Sequence, residues 1–534
     1  MNLRALAALT AVPFIACPPL VVPLAAQVTT ERILHADHEP GNWLTYSGNY
    51  QGHRYSLLDQ INTSNVARMK PVWTYQINDL GQFETTPLVV DGILYISEPP
   101  SNATALDART GRPLWMYRRP IPPDVRVCCG QVNRGLAISG DTLYLGTVDA
   151  HLIALDARTG HVRWDAVVAD YRTGHAITAA PLVVKEKVIV GISGGEYGIR
   201  GFLDAYDAQT GRRAWRFWTV PGPGEPGHAT WAGDSWKTGG APTWVTGSYD
   251  PFLNLLYWGT GNPGPDYNGG PRQGDNLFAN SILAIDPDTG KLRWHFQFTP
   301  HDVHDWDANH VPVLVDATVR GRARKAVAVA NRNSFYYVLD RVTGEFLLGT
   351  PFAKQTWAKG LNDRGRPVLL EGKSPSLEGT MVYPGLHGGT NWFSPSYSTQ
   401  TGLFYVAARE EATSFYLGVP EYYPSNFFSA GGFRGIHGLE PWGAVRALEI
   451  ATGKQVWEFP LHSPPWSGLL TTAGGMVFGG ANEGHFFALN AANGKPLWRF
   501  PTGGPIQSNP VSFLSNGKQL ISVAAGHALF AFGE

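Results

Sequence analysis

The fold of this chain can be read from the ten residues Leu106-Asp-Ala-Arg-Thr-Gly-Arg-Pro-Leu-Trp115. The pattern apolar-Leu-Asp-x-x-Thr-Gly-x-x-x-Trp predicts a β-hairpin, because Asp and Gly favour a tight turn between two strands. Trp115 ends the second strand of this hairpin, where its large ring can pack against a neighbouring repeat. The stretch therefore predicts one half of a small antiparallel sheet.

This pattern returns along the chain at intervals of about fifty residues, a period typical of propellers and solenoids. Copies begin at Asp107, Asp156, Asp207 and Asp286, and weaker copies at Asp340, Glu449 and Asn490. The sequence thus predicts an all-β, eight-bladed β-propeller with Asp-x-x-Thr-Gly-x-x-x-Trp blade motifs. We expect a degenerate eighth blade in the long interval between Asp340 and Glu449. A parallel β-solenoid is the alternative, and the many hairpin turns count against it.

A propeller ring has to close, because each blade buries its faces only against its neighbours. We predict that a strand near residues 43–46 pairs with the C-terminal run at residues 520–523. Residues 28–534 would then form a single propeller domain.

The N-terminus has the pattern of an export signal. Arg4 precedes an apolar stretch, and small residues before Gln27 suit cleavage, which predicts a signal peptide over residues 1–27. A membrane anchor is the alternative, which the prolines of this stretch disfavour, and lipidation at Cys17 is another. No other apolar run is long enough to span a bilayer, so we expect no membrane span after the signal is removed.

The charge balance excludes one class of partner. Lys+Arg is 42 and Asp+Glu is 43, and charged residues make up only 16% of the chain. A neutral surface of this kind gives no reason to expect nucleic acid as a partner.

Four segments depart from the repeat, and the first contains the adjacent cysteines Cys128 and Cys129 followed by Arg134. In an oxidising compartment such a pair can close into a small, rigid disulfide ring. Two buried free thiols are the alternative. Beyond the signal peptide these are the only cysteines, and no Cys-x-x-Cys-His motif attaches a c-type haem.

Two of the other segments are rich in glycine. Ser193-Gly194-Gly195-Glu196 allows a close backbone approach to a ligand, and Glu196 is either functional there or a surface charge. Asn262 lies in a Gly-Thr-Gly-Asn-Pro-Gly-Pro loop, which on its own is a weak signal.

The fourth segment, residues 300–310, holds three Asp and three His. Asp305 and Asp307 would face the same side of an extended strand. Because two such carboxylates repel each other, a hard cation with oxygen ligands is the natural interpretation. Zinc bound by His301 and His304 is the alternative, although no third ligand is identifiable.

Together these four segments resemble those of the pyrroloquinoline quinone (PQQ)-dependent methanol and ethanol dehydrogenases, the type I quinoproteins. The similarity extends from about Trp43 to Phe532. Further matching stretches are residues 54–66, 83–90, 239–244, 331–341 and 388–392.

The resemblance implies that PQQ lies between the Cys128–Cys129 ring and Trp244. By motif match its remaining contacts would be Glu84, Arg134, Thr178, Ser193, Gly194, Gly195, Arg332 and Asn391. The apolar faces suit a planar quinone, and the cationic groups suit its carboxylates.

The resemblance also implies a metal ion at Glu196 and Asn262, with Asp305 beside it as the general base. Lanthanide-dependent members carry Asp at the position of Asp307, where calcium-dependent members usually carry a small uncharged residue. A trivalent ion gains more from one extra negative charge, so the resemblance favours a lanthanide over calcium. A solvated loop carboxylate is the alternative for Asp307.

The implied activity is periplasmic oxidation of an alcohol to an aldehyde by hydride transfer to the quinone. Because the chain has no haem motif, the electrons would pass to a separate soluble cytochrome c. The resemblance leaves room for a homodimer. Two alternatives are a quinoprotein that acts on sugars or aldehydes, and a non-catalytic scaffold propeller.

Overall fold

The structure, a computed structural model, describes residues 28–534. In this part the chain is all-β, with eight sheets of four or five strands. The predicted signal peptide and Cys17 lie outside the described residues. No helix among residues 28–534 is long and apolar enough to cross a lipid bilayer. The described helices are the α-helix Thr30–Leu34 and the short 3-10 helices Ala36–His38, Val66–Arg68, Tyr171–Thr173, Gly195–Tyr197, His228–Thr230, Ser235–Thr238 and Gly270–Arg272.

Sheets 1 to 4 each follow the chain as a four-stranded antiparallel meander. Sheet 1 comprises Leu88–Val90, Ile93–Glu98, Asn102–Asp107 and Pro113–Tyr117. Sheet 2 comprises Ala137–Ser139, Thr142–Gly146, His151–Asp156 and Val162–Val167. Sheet 3 comprises Leu182–Val184, Lys187–Gly191, Phe202–Asp207 and Arg213–Trp218. Sheet 4 comprises Ser248–Asp250, Leu255–Gly259, Ser281–Ile285 and Leu292–Gln297.

Sheets 5 to 8 keep this core of four strands, and two of them recruit strands from the N-terminal part. Sheet 5 comprises Val313–Val319, Arg322–Ala330, Phe335–Asp340 and Phe346–Pro351. Sheet 6 comprises Ser396–Ser398, Leu403–Glu410, Trp442–Glu449 and Gln455–Leu461. Sheet 7 comprises Leu470–Thr472, Met476–Gly480, His485–Asn490, Pro496–Pro501 and the parallel strand Tyr55–Ser56. Sheet 8 comprises Val511–Ser515, Lys518–Ala525, Ala528–Gly533 and Lys70–Gln76.

The repeated motif lies in the turn between the third and fourth strands of a sheet. In sheet 1, Asp107 Oδ1 accepts hydrogen bonds from the backbone amides of Arg109 at 2.8 Å and Thr110 at 3.1 Å. Gly111 closes the turn with a φ of +71°, a conformation that strongly favours glycine. The sequence therefore forms a hairpin here for local reasons.

Where the motif tryptophan is present, it joins its sheet to the next; sheet 5 has none in its fourth strand, Phe346–Pro351. The Trp115 indole donates to the main-chain carbonyl of Ala157 in sheet 2 at 3.0 Å. A Cβ atom on Gly160 would lie 2.5 Å from the Trp115 ring, so only glycine fits beneath it. Corresponding indole donations to a carbonyl of the next sheet come from Trp73, Trp164, Trp215, Trp294, Trp457 and Trp498.

Ring closure differs from the prediction. Lys70–Gln76 pairs antiparallel with Ala528–Gly533, with Lys70 opposite Gly533, so sheet 8 unites the two ends of the described chain. The expected pairing of residues 43–46 with 520–523 is wrong, because Trp43 makes only an isolated bridge to Val89. Lys70–Gln76 supplies what closure needs, since it buries Trp73 in the core between sheets 8 and 1.

The predicted degenerate blade between Asp340 and Glu449 is also wrong. This interval holds strands of sheet 6 together with inserted strands. The inserted strands are Ala358–Leu361 and Pro367–Leu369, which form a hairpin, and Thr380–Val382, Thr413–Leu417 and Gly431–Gly435, which form a three-stranded sheet. The sheet without the motif is sheet 8. Its third and fourth strands, Ala528–Gly533 and Lys70–Gln76, come from opposite ends of the described chain, so no turn joins them.

The predicted functional residues share one end of the sheets. Some lie just before a first strand, as Arg134 and Asp305 do, and others lie between a second and a third strand, as Asn262 and Arg332 do. In an antiparallel meander both kinds of loop are at the same end. The motif turns lie at the opposite end.

Candidate active site

The acidic segment before sheet 5 converges on one arginine. Arg332 Nη1 lies 2.5 Å from Asp307 Oδ2, and Arg332 Nη2 lies 3.8 Å from Asp305 Oδ2. Asp307 and Arg332 are buried, with 3% and 5% of their surface exposed. The two aspartates thus turn toward the same group. Asp305 has a φ of +60°, so the segment is not a regular strand.

Glycines bring the other two predicted ligands to this segment. The Asn262 backbone amide donates to Asp307 Oδ1 at 2.8 Å. A Cβ atom on Gly261 would lie 2.3 Å from the same oxygen, so the contact requires glycine there. A Cβ atom on Gly195 would lie 3.5 Å from Asn262 Oδ1, which places the Asn262 amide oxygen against the loop that carries Glu196.

A further carboxylate, Asp266, belongs to the same cluster and was not predicted as a site residue. Asp266 Oδ1 accepts a hydrogen bond from Asn262 Nδ2 at 2.8 Å, and only 3% of the residue is exposed. The available signal was an acid four residues after Asn262 in a Pro-Gly-Pro loop of a chain with little charge.

The four carboxylates oppose one another's ionisation. Burial raises the pKa of Asp305 well above its usual range, Asp307, Asp266 and Glu196 add to the rise, and the positive charge of Arg332 opposes it. Burial, followed by the charge of Asp307, raises the pKa of Glu196 to about 7. The pKa of Asp266 is likewise raised by burial and then by Glu196. A multivalent cation among them would relieve this repulsion.

Unpartnered polar atoms show what kinds of group fit this pocket. Asn262 Oδ1 and Asp305 Oδ1 are buried acceptors with no donor within the described residues. Arg332 Nε and Arg134 Nε are buried donors with no acceptor there. Because buried polar groups are normally paired, the oxygens fit a hard cation and the guanidinium groups fit an anionic cofactor.

Two histidines of the acidic segment are engaged outside the pocket, whereas His310 Nε2 accepts a hydrogen bond from the Arg332 backbone amide at 3.0 Å. His301 Nδ1 lies 2.8 Å from the Gly274 carbonyl, and His304 Nε2 lies 2.8 Å from the Lys373 carbonyl. The His304 ring also stacks on Trp306 with a centroid distance of 4.3 Å. Oxygen atoms therefore dominate the donor set around Asp305.

The adjacent cysteines form the predicted disulfide ring, so the free-thiol alternative is wrong. Atoms of Cys128, Cys129 and the Glu196 carboxylate lie within 4.8 Å of one another. Because the sulfurs are oxidised, they offer no thiolate to a metal. The ring is instead an apolar face next to the acidic pocket.

Arg134 connects several of the predicted cofactor contacts. Its Nη2 lies 2.8 Å from Glu84 Oε2, and its Nη1 donates to Thr178 Oγ1 at 2.9 Å. Its guanidinium carbon lies 5.0 Å from the Trp244 ring centroid and 4.7 Å from that of Trp392. These residues form one continuous wall of charged and aromatic groups.

The remaining predicted contacts hold the loops in place. Ser193 Oγ donates to the Ala176 carbonyl at 2.8 Å, and Asn391 Nδ2 donates to the His387 carbonyl at 3.0 Å. Gly194 has a φ of +115°, and Gly195 begins the 3-10 turn that carries Glu196. The side chains of Ser193 and Asn391 therefore form hydrogen bonds with the main chain.

A cavity of about 360 Å³ opens beside the disulfide ring. Val125, Tyr197 and Phe427 are among its lining residues, and the Tyr197 and Phe427 rings stack with a centroid distance of 4.9 Å. The Phe428 amide donates to the Glu196 carbonyl at 2.7 Å, which ties this wall to the acidic pocket. The lining also includes Arg126, Gln131, Ser425 and Asn426, so a small molecule would meet both apolar and polar groups in this cavity.

Comparison with known proteins gives two family matches. Residues 43–356 match the family described as PQQ glucose/ethanol/alcohol dehydrogenase, β-propeller domain. Residues 442–533 match a family described as outer membrane protein assembly factor BamB.

Two full-length relatives and one solved structure are similar over nearly the whole chain. Quinoprotein alcohol dehydrogenase PedH of Pseudomonas putida is 39% identical, covering 94% of this chain and 89% of the relative. The lanthanide-dependent methanol dehydrogenase of Methylacidiphilum fumariolicum is 38% identical, covering 95% and 88%. The structure of a europium-containing methanol dehydrogenase superposes with a TM-score of 0.89 at 34% identity, covering 94% of this chain and 100% of that one. This chain therefore belongs to the family of PQQ-dependent alcohol dehydrogenases with a β-propeller fold.

Proposed function

We propose that this protein oxidises an alcohol to an aldehyde, with Asp305 as the base that takes the hydroxyl proton. The observation that carries the proposal is the pair of unpartnered acceptors, Asn262 Oδ1 and Asp305 Oδ1, in a buried carboxylate cluster beside the Cys128–Cys129 ring. Such a cluster lowers stability unless a ligand compensates it, so its presence points to a binding role.

The two implied groups would be held by different sets of residues. The residues that would hold PQQ are Glu84, Cys128, Cys129, Arg134, Thr178, Ser193, Gly194, Gly195, Trp244, Arg332 and Asn391. The residues that would hold the metal ion are Glu196, Asn262, Asp305 and Asp307. When bound, PQQ supplies a hydride acceptor and the metal ion supplies a Lewis acid.

Asp305 suits the role of a base. Its Oδ1 has no partner among the described residues, so it is free to accept a proton from a hydroxyl group. Burial raises its pKa, which increases its affinity for that proton, and the charge of Arg332 counters the rise. Arg332 thereby helps the carboxylate to start in its ionised form.

A lanthanide fits this pocket better than calcium does. Asp307 accepts hydrogen bonds from the Asn262 backbone amide and from Arg332 in the pocket, so it is not a solvated loop carboxylate in this fold. Each additional carboxylate attracts a trivalent ion more strongly than a divalent one. One relative is a lanthanide-dependent methanol dehydrogenase, and one similar structure is a europium-containing methanol dehydrogenase.

The remaining parts of the proposal concern the whole protein. Sheets 1 to 8 would be the eight blades of one ring in a single domain, residues 28–534. After cleavage of the signal peptide the protein would act in the periplasm, pass electrons to a soluble cytochrome c, and have the option of forming a homodimer.

The direct test is alcohol oxidation with an artificial electron acceptor. The metal-free protein is reconstituted with PQQ and either Ca²⁺ or La³⁺, and primary alcohols, sugars and aldehydes are compared as substrates. We expect turnover of alcohols that depends on PQQ and is higher with La³⁺. Asp305→Asn should remove that turnover while PQQ absorbance of the complex remains.

The matched control is Asp250→Asn. Asp250 is a buried carboxylate that pairs with Arg341 at 2.7 Å and has no part in the pocket. Its replacement should lower stability, as loss of a buried ion-pair partner does, but leave the turnover of each folded molecule unchanged. Preference for sugars or aldehydes would correct the substrate class, higher activity with Ca²⁺ would correct the metal, and a protein that neither turns over nor binds PQQ would point to a scaffold.

A further inference from the structure

Asp266 makes a specific contact with one of the proposed metal ligands. Asn262 Nδ2 donates to Asp266 Oδ1 at 2.8 Å. Both residues are nearly inaccessible, with 1% and 3% of their surfaces exposed. Because solvent does not compete there, this hydrogen bond controls how the Asn262 side chain is oriented.

The contact selects one of the two orientations of the Asn262 amide. In its ionised form, which a nearby cation would favour, the Asp266 carboxylate only accepts hydrogen bonds, so it attracts the NH₂ group and repels the amide oxygen. Oδ1 is thus turned to the other side, where a Cβ atom on Gly195 would lie 3.5 Å away and no donor among the described residues meets it. The oxygen is left free for a cation beside Glu196.

The loop that carries Asp266 is itself held firmly. Arg272 is completely buried, and its Nε and Nη2 donate to the Pro265 carbonyl at 3.1 and 2.9 Å. The same Nη2 donates to the Asp302 carbonyl at 2.5 Å, which ties this loop to the acidic segment. The Tyr267 amide donates to the Ser429 carbonyl at 2.9 Å. Asp266 therefore has little freedom to move away from Asn262.

Asp266 also changes the charge of the pocket. With it, four carboxylates lie close enough to raise one another's pKa, whereas Arg332 is the cation that pairs with Asp305 and Asp307. Coulomb attraction scales with the charge of the ion. One extra negative charge therefore stabilises a trivalent ion about 1.5 times as strongly as it stabilises a divalent ion.

We propose that Asp266 is a positioning residue for the metal site: it fixes the Asn262 amide with its oxygen toward the ion, and its charge favours a trivalent over a divalent cation. The inference rests on the proposed function, because it requires an ion at Glu196, Asn262, Asp305 and Asp307. Residues that orient a ligand in this way commonly change metal affinity by about 10–100-fold.

The test measures binding of La³⁺ and of Ca²⁺ by isothermal titration calorimetry, using full-length metal-free protein with PQQ present. Asp266→Asn keeps an acceptor for Asn262 but removes the charge, so La³⁺ affinity should fall about 10-fold or more and Ca²⁺ affinity clearly less. Asp266→Ala removes the acceptor as well, so the affinity for both ions should fall. Asp250→Asn is the control for loss of a buried carboxylate and should change neither affinity.

Each result distinguishes this inference from the proposed function. Wild-type affinities for both ions in Asp266→Asn and Asp266→Ala would overturn the role of Asp266 while leaving the metal site intact. Equal losses for La³⁺ and Ca²⁺ in Asp266→Asn would overturn the charge preference. If the wild-type protein binds neither ion, the proposed metal site fails, and this inference fails with it.

Discussion

The two ends of the same sheets differ sharply in how well their polar groups are satisfied. At the turn end, Asp107 accepts hydrogen bonds from two backbone amides, and the Trp115 indole donates to a carbonyl in the next sheet. At the pocket end, Asn262 Oδ1 and Asp305 Oδ1 are buried without a donor among residues 28–534. One end is arranged for stability, and the other gives up stability for binding.

Carboxyl groups at the two ends have opposite pKa shifts. At the turn end, burial pushes the pKa of Asp156 upward, but hydrogen bonds from Arg163 and Thr159 outweigh it and bring the pKa to about 2. At the pocket end, burial and Asp307 raise the pKa of Glu196 to about 7. The same chemical group is thus stabilised in its charged form at one end and destabilised in that form at the other.

The largest effect should come from Asp305→Asn at the pocket end. Loss of a positioned base typically lowers kcat by about 10²–10⁴-fold. Because the change removes one of several repelling charges, the metal-free variant should unfold at the same temperature as wild type or higher. Steady-state kinetics and thermal unfolding of one preparation test both statements. A variant that loses stability along with activity would contradict the contrast between the two ends.

The next largest effect should come from Arg332→Gln in the metal-free protein. Removing one partner of a buried ion pair leaves the Asp307 charge uncompensated, and such changes cost about 3–5 kcal/mol. Addition of La³⁺ should restore part of this stability by supplying positive charge. Urea unfolding with and without La³⁺ measures it, and an unchanged midpoint without the ion would show that Arg332 does not stabilise the cluster.

A substitution at the turn end should have the reverse profile. Gly211 has a φ of +68°, and a Cβ atom there would lie 2.7 Å from the Trp164 ring. Gly211→Ala should therefore lower the free energy of unfolding by about 1–3 kcal/mol through overpacking and backbone strain. Its kcat/KM should remain that of wild type. A loss of activity greater than the loss of folded protein would show that the two ends are coupled.

The smallest effect should come from Asp156→Asn, and it should depend on pH. The folded-state pKa of Asp156 lies below its ordinary value of 3.8, so its contribution is present above about pH 4 and is lost as the pH falls toward 2. Because the group is partly exposed, the cost at pH 7 should be under about 1 kcal/mol. Urea unfolding at pH 7 and pH 3 should show a smaller difference from wild type at pH 3.

The sequence predicted the features that depend on nearby residues. The Asp and Gly of each motif set a turn over five positions. The shared contact of Asp305 and Asp307 with Arg332 was not predicted and depends on the fold, because Asp305 has a φ of +60° and the segment is not extended. Ring closure likewise depends on which N-terminal strand fits against the last sheet. Local sequence does not show that fit, and the pattern led us to residues 43–46 in place of Lys70–Gln76. The degenerate blade was placed wrongly for the same reason, because inserted strands and a missing motif look alike in sequence.

Prediction of the site had a similar limit. The Cys128–Cys129 ring was predicted because adjacent cysteines have few alternatives. Asp266 was missed because a single acid in a Pro-Gly loop resembles any solvated turn, and only the fold shows that it is buried against Asn262. The environment of a loop carboxylate is a property of the assembled sheets, so local sequence does not contain it.

The pairing of Lys70–Gln76 with Ala528–Gly533 sets the order of events during biosynthesis. Translation proceeds at about 5–20 residues per second, so roughly 20–90 seconds separate the emergence of these two strands. Throughout that time Lys70–Gln76 has an open edge, a state in which strands aggregate, although Trp73 can already pack against Ala108 and Gly111 of sheet 1. A nascent chain must therefore keep this segment protected until its last residues are made. Loss of even a few C-terminal residues would remove part of its partner strand and leave the ring unclosed.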